Sequence, residues 1–382
     1  MKSLGPDFVR RLPENSEAFG KKNVRAGFIK IDLWLLLGLL LISSFGITVL
    51  YSASGHSTAM AERQALFFVL SYGILLAVGQ IRLGFLERWA IWLYCFGVIL
   101  LVLTLVIGVG AKGAQRWISL GFTRFQPAEI LKIAVPLTVA AYFSQRHLPP
   151  KFVHVVVCMI IILVPSALIL KQPDLGTAIL VVMSGVIGLF LAGLRWRYIV
   201  LTLAVVAAAA WPMWNYVMHD YQKKRILTLI DPEADKWGAG WNILQSKTAI
   251  GSGGLEGKGY MKGTQSQLDF LPESHTDFII AVLAEEFGLQ GVLALLACYA
   301  FVIGRGLVIA WRAPSTFGRI LAGSVSLTFL IYVFVNMGMV SGLLPIVGVP
   351  LPMVSLGGTS LLTLMMSFGL LMAVANDSRR AL

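Results

Sequence analysis

Charged side chains are scarce in this chain. Only 13% of its 382 residues are Asp, Glu, Lys or Arg, and the acids number 19. Soluble domains carry about 25% charge, so a water-soluble globular enzyme is excluded. Cysteine is scarce too. Cys95, Cys158 and Cys298 each sit inside an apolar run, which excludes a disulfide framework or a cysteine metal box and leaves small buried hydrophobes. The motifs of nucleotide, zinc, haem and serine-hydrolase chemistry are missing. GLEGKGYMKG superficially resembles a phosphate loop but lacks the G-x-x-x-x-G-K-[ST] spacing. The first 30 residues hold no apolar core and do not read as a signal peptide, so the first apolar span is expected to direct insertion. The net charge of +12 is spread over short loops without forming one stripe. Nucleic acid is therefore excluded as a partner, and anionic lipid headgroups or phosphorylated lipid ligands are favoured.

What the chain has is hydrocarbon. It is 57% hydrophobic, with a mean hydropathy of +0.79. A bilayer crossing needs about 20 apolar residues, and ten segments are expected to cross: 31–51, 65–81, 89–109, 127–143, 153–170, 177–194, 198–217, 277–304, 317–341 and 357–376. The tail carries Lys2, Arg10, Arg11, Lys21, Lys22, Arg25 and Lys30, and every second loop after it is basic, through Arg82 and Arg88, Arg146 and Lys151, Arg195 and Arg197, Arg305, Arg312 and Arg319, to Arg379 and Arg380. The positive-inside rule then puts both termini in the cytoplasm. The expected fold is an all-α polytopic membrane protein with ten transmembrane helices. Its parts are a basic cytoplasmic tail (1–30), a membrane domain (31–376) with a large extracytoplasmic loop at 218–276 between the seventh and eighth spans, and a cytoplasmic C-terminus (377–382).

That loop opens with WNYVMHDYQKKRILTLIDPEAD, whose Trp214, Tyr216 and Tyr221 suit the headgroup level. Eight glycines follow between Gly238 and Gly263, permitting tight turns and close backbone approach. Trp237, Trp241, Ile243, Leu244, Ile250 and Leu255 predict that part of the loop packs. A floppy linker is the alternative.

Several polar groups share the expected external face. They are Lys112, Arg116, Arg124, Glu129 and Lys132 around the fourth span, Lys171 and Asp174 in KQPDLGT, and Glu273, His275 and Asp277 in LPESHTDF. Pro127 suits a first helical turn, which makes Glu129 and Lys132 i,i+3 neighbours able to pair. Ser274 or Thr276 could cap the eighth span and place Asp277 in its first turn, where free N–H groups favour a carboxylate. The same placement would hold an ionised general base at the membrane surface, and local reasoning leaves both readings open. Glu285 lies about 12 Å further along a helix. Glu285 and Glu286 must face the bundle interior or pair with groups such as Lys132 or Arg116, and read as supporting charges. Arg116 precedes Trp117, a pairing suited to a phosphate.

QPAEILK, KQPDLGTAI, LPESHTDFIIAVLAEEFG and GLLPIVGVPLPMVSLGGTSLLTLM resemble the SEDS family (shape, elongation, division and sporulation), over nearly all of the chain beyond the tail. VGVPLPMVSLGGTS is more similar to the elongation branch than to the division paralogue. The resemblance implies a ten-helix bundle in the bacterial inner membrane that polymerises lipid II into β-1,4 glycan on the outer face, releasing undecaprenyl pyrophosphate with inversion. It assigns the essential aspartate to Asp277 and family roles to Glu129, Lys132, Arg116 and Asp174. Asp269 is a second carboxylate in the same segment. The resemblance also implies a class B penicillin-binding protein, a transpeptidase, and other elongation-complex membrane proteins as partners. No cofactor is required, apart from a divalent cation (Mg or Mn) that could share the pyrophosphate charge with Arg116, Lys112 or Lys132. A precursor flippase or transporter and a pure scaffold are the competing readings. Intramembrane charges suit the former, but no internal repeat is evident.

Overall fold

A computed structural model describes residues 30–111, 114–119, 124–218, 220–235, 238–268, 270–271 and 273–381. Met1–Lys30 separates as its own unit from Ile31–Leu382, and the expected basic tail lies outside the described residues except for Lys30. The body is built of helices: α1 (Leu33–Ala53), α2 (Thr58–Gly79), α3 (Leu83–Ile107), α4 (Ala128–Ser144), α5 (Phe152–Lys171), α6 (Leu175–Leu191), α7 (Trp196–Pro212), α8 (Asp220–Ile230), α9 (Ala239–Gly253), α10 (Thr264–Gln267), α11 (Ile279–Arg312), α12 (Thr316–Val340) and α13 (Gly358–Ala381). A π-helical turn, Met213–Val217, continues α7.

Each of the ten expected spans overlaps one of these helices. Eight of them are long and apolar enough to cross a bilayer: α1, α2, α3, α5, α7 with its π turn, α11, α12 and α13. The other two, α4 and α6, have 17 residues each, about 26 Å of rise against about 30 Å of hydrocarbon. The chain is an all-α, multi-pass membrane protein. Helix α2 starts at Thr58, ahead of the expected residue 65, because Ser57 accepts from Met60 N (3.4 Å) and adds a polar turn holding Glu62 and Arg63. The exception to helix is a three-stranded antiparallel sheet, β1 (Val109–Ala111), β2 (Ala114–Ser119) and β3 (Arg124–Phe125). Its register pairs Val109 with Trp117 and Ile118 with Phe125, so backbone groups of the connection after α3 satisfy one another.

Helix α13 packs along α2, α12 along α11 and α6, and α4 against α3 and α6. Several polar groups inside the bundle find partners on other elements, as a low-dielectric interior favours. Asp32 caps α1 through Leu35 N (3.1 Å) and receives both Nε and Nη2 of Arg305 from α11, at 3.0 and 2.6 Å. Tyr299 donates to the Pro352 carbonyl (2.6 Å) and Asn376 Nδ2 to that of Gly79 (2.8 Å). Helix α7 departs from this pattern, since none of its described residues is buried.

The segment between α7 and α11 folds onto the bundle. Ile243 and Ala249 of α9 are buried, Ser246 Oγ donates to Val340 O on α12 (2.9 Å), and Trp241 Nε1 donates to Phe270 O (2.9 Å). One detail corrects the expected packing: Leu255 is exposed. Trp237 lies outside the described residues.

Candidate functional site

Residues 273–278, ESHTDF, form turns rather than a helix start. Helix α11 begins at Ile279, with Phe278 at its N-cap and no side-chain cap. The expected capping by Ser274 or Thr276 is therefore corrected. Ser274 Oγ donates to Ala53 O (3.3 Å), and Thr276 Oγ1 to Glu273 Oε2 (2.7 Å). The backbone of the turn is instead tied to the loop before α13. Asn336 of α12 donates to both Asp277 O (2.9 Å) and Val349 O (2.7 Å), Leu356 N donates to His275 O (3.0 Å), and Ser355 Oγ bonds Thr276 O. Asn336 thus fixes two irregular segments to each other.

This arrangement leaves the Asp277 carboxylate beside Gly348, whose Cβ, if present, would lie 3.6 Å from Oδ2. Asp277 is not held low by a helix terminus. Burial, with the Glu273 carboxylate nearby, pushes its carboxyl up to about 6, against a smaller opposing pull from the Arg225 guanidinium. The acid is ionised at neutral pH yet more basic than an ordinary aspartate. Asp269 and Lys112 lie outside the described residues.

Glu285 and Glu286 are both buried, the first of the two expected alternatives, and their partners are groups other than Lys132 or Arg116. Glu285 Oε1 accepts from Lys258 Nζ (2.7 Å), Thr264 N (2.7 Å), Thr264 Oγ1 (2.9 Å) and Gln265 N (3.1 Å), while Glu286 accepts from Ser52 Oγ. Together they fasten the 254–268 segment onto α11. The helix breaks there, with Gly288 at φ 62° and ψ −162°, and its carbonyls turn outward to bond Lys258 N and Gly259 N at 2.9 and 3.0 Å. A Cβ on Gly257 would stand 2.2 Å from Glu286 O. The glycine run is therefore a docking surface for backbone on backbone, which no larger residue permits.

On the α4 side, Glu129 and Lys132 pair at 2.7 Å as the spacing predicts. Glu129 Oε2 also accepts from Thr363 Oγ1 of α13 (2.7 Å), and Lys132 Nζ lies 5.5 Å from the Tyr332 ring centroid. Arg116 donates through Nε to Gln172 O (3.2 Å) and through Nη2 to Pro173 O. Asp174 caps α6, accepting from Thr177 N (3.2 Å), Thr177 Oγ1 (3.0 Å) and Gln126 Nε2 (2.8 Å). These residues meet the Asp277 region indirectly. A Cβ on Gly176, two positions after Asp174, would lie 2.7 Å from Val347 O, in the loop that carries Gly348.

Two groups near Asp277 are not evident from the sequence as site residues. Arg225 sits in the QKKR run of α8, where it reads as one charge among a mixed set, and Asn336 reads as an interior polar residue of α12. Arg225 lines an apolar cavity of about 360 Å³ together with Lys171, Leu175, Met213, Ile226 and Val347. Lys171 closes α5, so two cations flank an apolar slot that adjoins the loop bearing Gly348. Among the described residues no three His, Cys, Asp or Glu side chains converge as metal ligands. Glu273 and Asp277 are the two described acids of this turn, and Glu273 accepts from Thr276 Oγ1 (2.7 Å).

Residues 25–380 match the FTSW_RODA_SPOVE family, described as cell cycle protein. The chain is 51% identical over 346 residues to the Escherichia coli peptidoglycan glycosyltransferase MrdB, covering 91% of this chain and 94% of that protein. It is 38% identical over 360 residues to a probable peptidoglycan glycosyltransferase FtsW of Trichlorobacter lovleyi, covering 90% and 93%. A chain from a peptidoglycan synthase complex, solved for its coordination of polymerization and crosslinking, superposes with a TM-score of 0.81 at 28% identity over 92% of this chain and 99% of that one. The rod shape determining protein RodA of Thermus thermophilus superposes with a TM-score of 0.70 at 26% identity over 92% and 98%.

Proposed function

This chain belongs to the FtsW/RodA/SpoVE (SEDS) family, and on that premise we propose that Asp277 is the general base of its glycosyl transfer. The protein is a peptidoglycan glycosyltransferase of the bacterial inner membrane, closely related to RodA and MrdB. Its reaction in this reading joins lipid II units. The 4-hydroxyl of an acceptor GlcNAc attacks the anomeric carbon of the donor MurNAc, its proton passes to Asp277, and the bond from that carbon to the pyrophosphate oxygen breaks. Undecaprenyl pyrophosphate leaves and the anomeric centre inverts. Pyrophosphate is already a good leaving group, so one base suffices where glycosidases need an acid as well.

The observation that carries this reading is the Asp277 carboxyl, seated off the helix end beside Gly348, raised to about 6 by burial and Glu273, and within electrostatic reach of Arg225, which lines the neighbouring apolar slot. A base whose pKa lies near the working pH combines a large ionised fraction with useful proton affinity. Charge developing on the bridging oxygen would be met by Arg225 and Lys171, while the apolar walls suit an isoprenoid tail. Arg116 and Asp174 act on position, holding the 172–174 turn, and the Glu129–Lys132 pair braces α4 against α12 and α13. Glu285 and Glu286 anchor the covering loop, and His275 contributes its carbonyl to the turn.

In this reading ten helices cross the membrane, with α4 and α6 as the short crossings, both termini are cytoplasmic, and Asp277 faces the exterior. The alternation of basic loops supports that orientation. The likeness to a chain of a complex that couples polymerization with crosslinking supports a class B penicillin-binding protein as partner. Purified protein incubated with lipid II in detergent tests the reading. Wild type should form glycan and Asp277→Asn should form none while keeping its fold. A flippase makes no glycan in detergent, so an inactive wild type, or an active D277N, overturns the proposal.

A further inference from the structure

Helix α7 stands off the bundle and leaves an apolar groove of about 570 Å³ against α5, lined from Phe152 to Ala167 on one side and by Tyr198, Leu201 and Thr202 on the other. This groove is separate from the slot beside Arg225 and opens at the opposite end of the two helices. Its mouth is cationic. Lys151 is the N-cap residue of α5 and Arg195 that of α7. The two loops touch, since a Cβ on Gly193 would lie 3.6 Å from Pro149, and the Phe152 and Tyr198 rings, 5.9 Å apart, close the floor between them. Lys151, Arg195 and Arg197 are all exposed, and among the described residues none forms a salt bridge.

We propose that this groove binds one anionic diacyl phospholipid, with an acyl chain along α5 and its phosphate held by Lys151, Arg195 and Arg197. The lined stretch of α5, from Phe152 to Ala167, spans about 22 Å of helix, which is length enough to lay an acyl chain along it. Charge favours a phosphate, because three cations around one apolar mouth match the basic interhelical pockets that recognise anionic headgroups. The lipid supplies the packing that α7, with no buried residue among those described, otherwise lacks.

The test is lipid retention, which is independent of polymerase activity. Delipidated full-length protein is given equal dioleoyl phosphatidylglycerol and dioleoyl phosphatidylethanolamine and analysed by native mass spectrometry. Wild type should retain phosphatidylglycerol selectively. The K151Q/R195Q/R197Q variant should lose that preference, at about fivefold per cation removed, while K151R/R195K/R197K keeps it. Ala167→Trp, on the groove wall, should block retention with all three cations present. Equal retention by the triple Gln variant overturns the proposal. So does displacement by equimolar undecaprenyl phosphate, which would assign the groove to the precursor lipid, or by the transmembrane segment of a transpeptidase, which would make it a helix dock.

Discussion

If Asp277 is the base, the acid limb of the pH–rate profile should report its environment. A carboxyl titrating at about 6 is roughly 9% ionised at pH 5 and 91% at pH 7, whereas one at its ordinary value is already roughly 90% ionised or more at pH 5. The initial rate of lipid II polymerisation should therefore climb about tenfold between pH 5 and pH 7. The sign of each neighbour's effect follows from its charge. Glu273→Gln removes a like charge, favours the carboxylate and moves the limb to lower pH. It should not reach the ordinary aspartate range, because burial is the larger cause of the shift. Arg225→Gln removes the stabilising cation and moves the limb to higher pH. Rates would be taken at saturating lipid II and constant ionic strength, so that the limb belongs to the enzyme–substrate complex. A profile flat from pH 5 to 7, or one that E273Q leaves in place, refutes the assignment of Asp277 as base.

The same environment predicts that D277N is no less stable than wild type. Raising the pKa from 3.8 to about 6 makes ionisation of Asp277 in the folded state cost up to roughly 3 kcal/mol above pH 6, a cost absent below the ordinary value. Thermal unfolding of D277N at pH 8 should accordingly match or exceed wild type, and a fall of several degrees would refute the burial argument. Lys258→Ala leaves Glu285 buried beside only neutral donors and should destabilise the docked loop by about 3 kcal/mol, read as faster hydrogen exchange at the Thr264 and Gln265 amides. The K258M/E285Q pair should recover most of that protection. Gly257→Ala places a methyl 2.2 Å from the Glu286 carbonyl at φ +81°, so a loss of about 4 kcal/mol or more is expected. Gly251→Ala, whose Cβ meets nothing within 4 Å, should stay within about 1 kcal/mol in the same unfolding measurement.

Most of the helical layout was legible because bilayer insertion depends on local sums of hydropathy. The ten expected segments overlap ten helices for that reason, and the Glu129–Lys132 pair follows from helix geometry alone. The sheet at 109–125 was not legible, since its strands are two to six residues long and their pairing depends on register rather than composition. The status of Asp277 was misread locally for a related cause. Polar residues ahead of an apolar run look like a capped helix start, but Asn336, Ser355 and Leu356, some 60 to 80 positions away, hold the turn in another shape. Arg225 and Lys171 come to line one slot, and Arg225 to influence Asp277, only through the fold.

By itself, the sequence determined that this is a multi-pass membrane protein, where its apolar helices lie, and, through its motifs, the family to which it belongs. Hydropathy, charge alternation and helix spacing act over one or two turns and need no partner. Tertiary structure alone decided what the charges do. It matched Glu285 with Lys258 rather than Lys132, turned the glycine run into a seat on a broken helix, and withdrew Asp277 from the helix dipole into a half-buried pocket with Glu273 and Arg225. An ionisable group takes its character from what surrounds it in space, and those neighbours come from segments far apart in the chain.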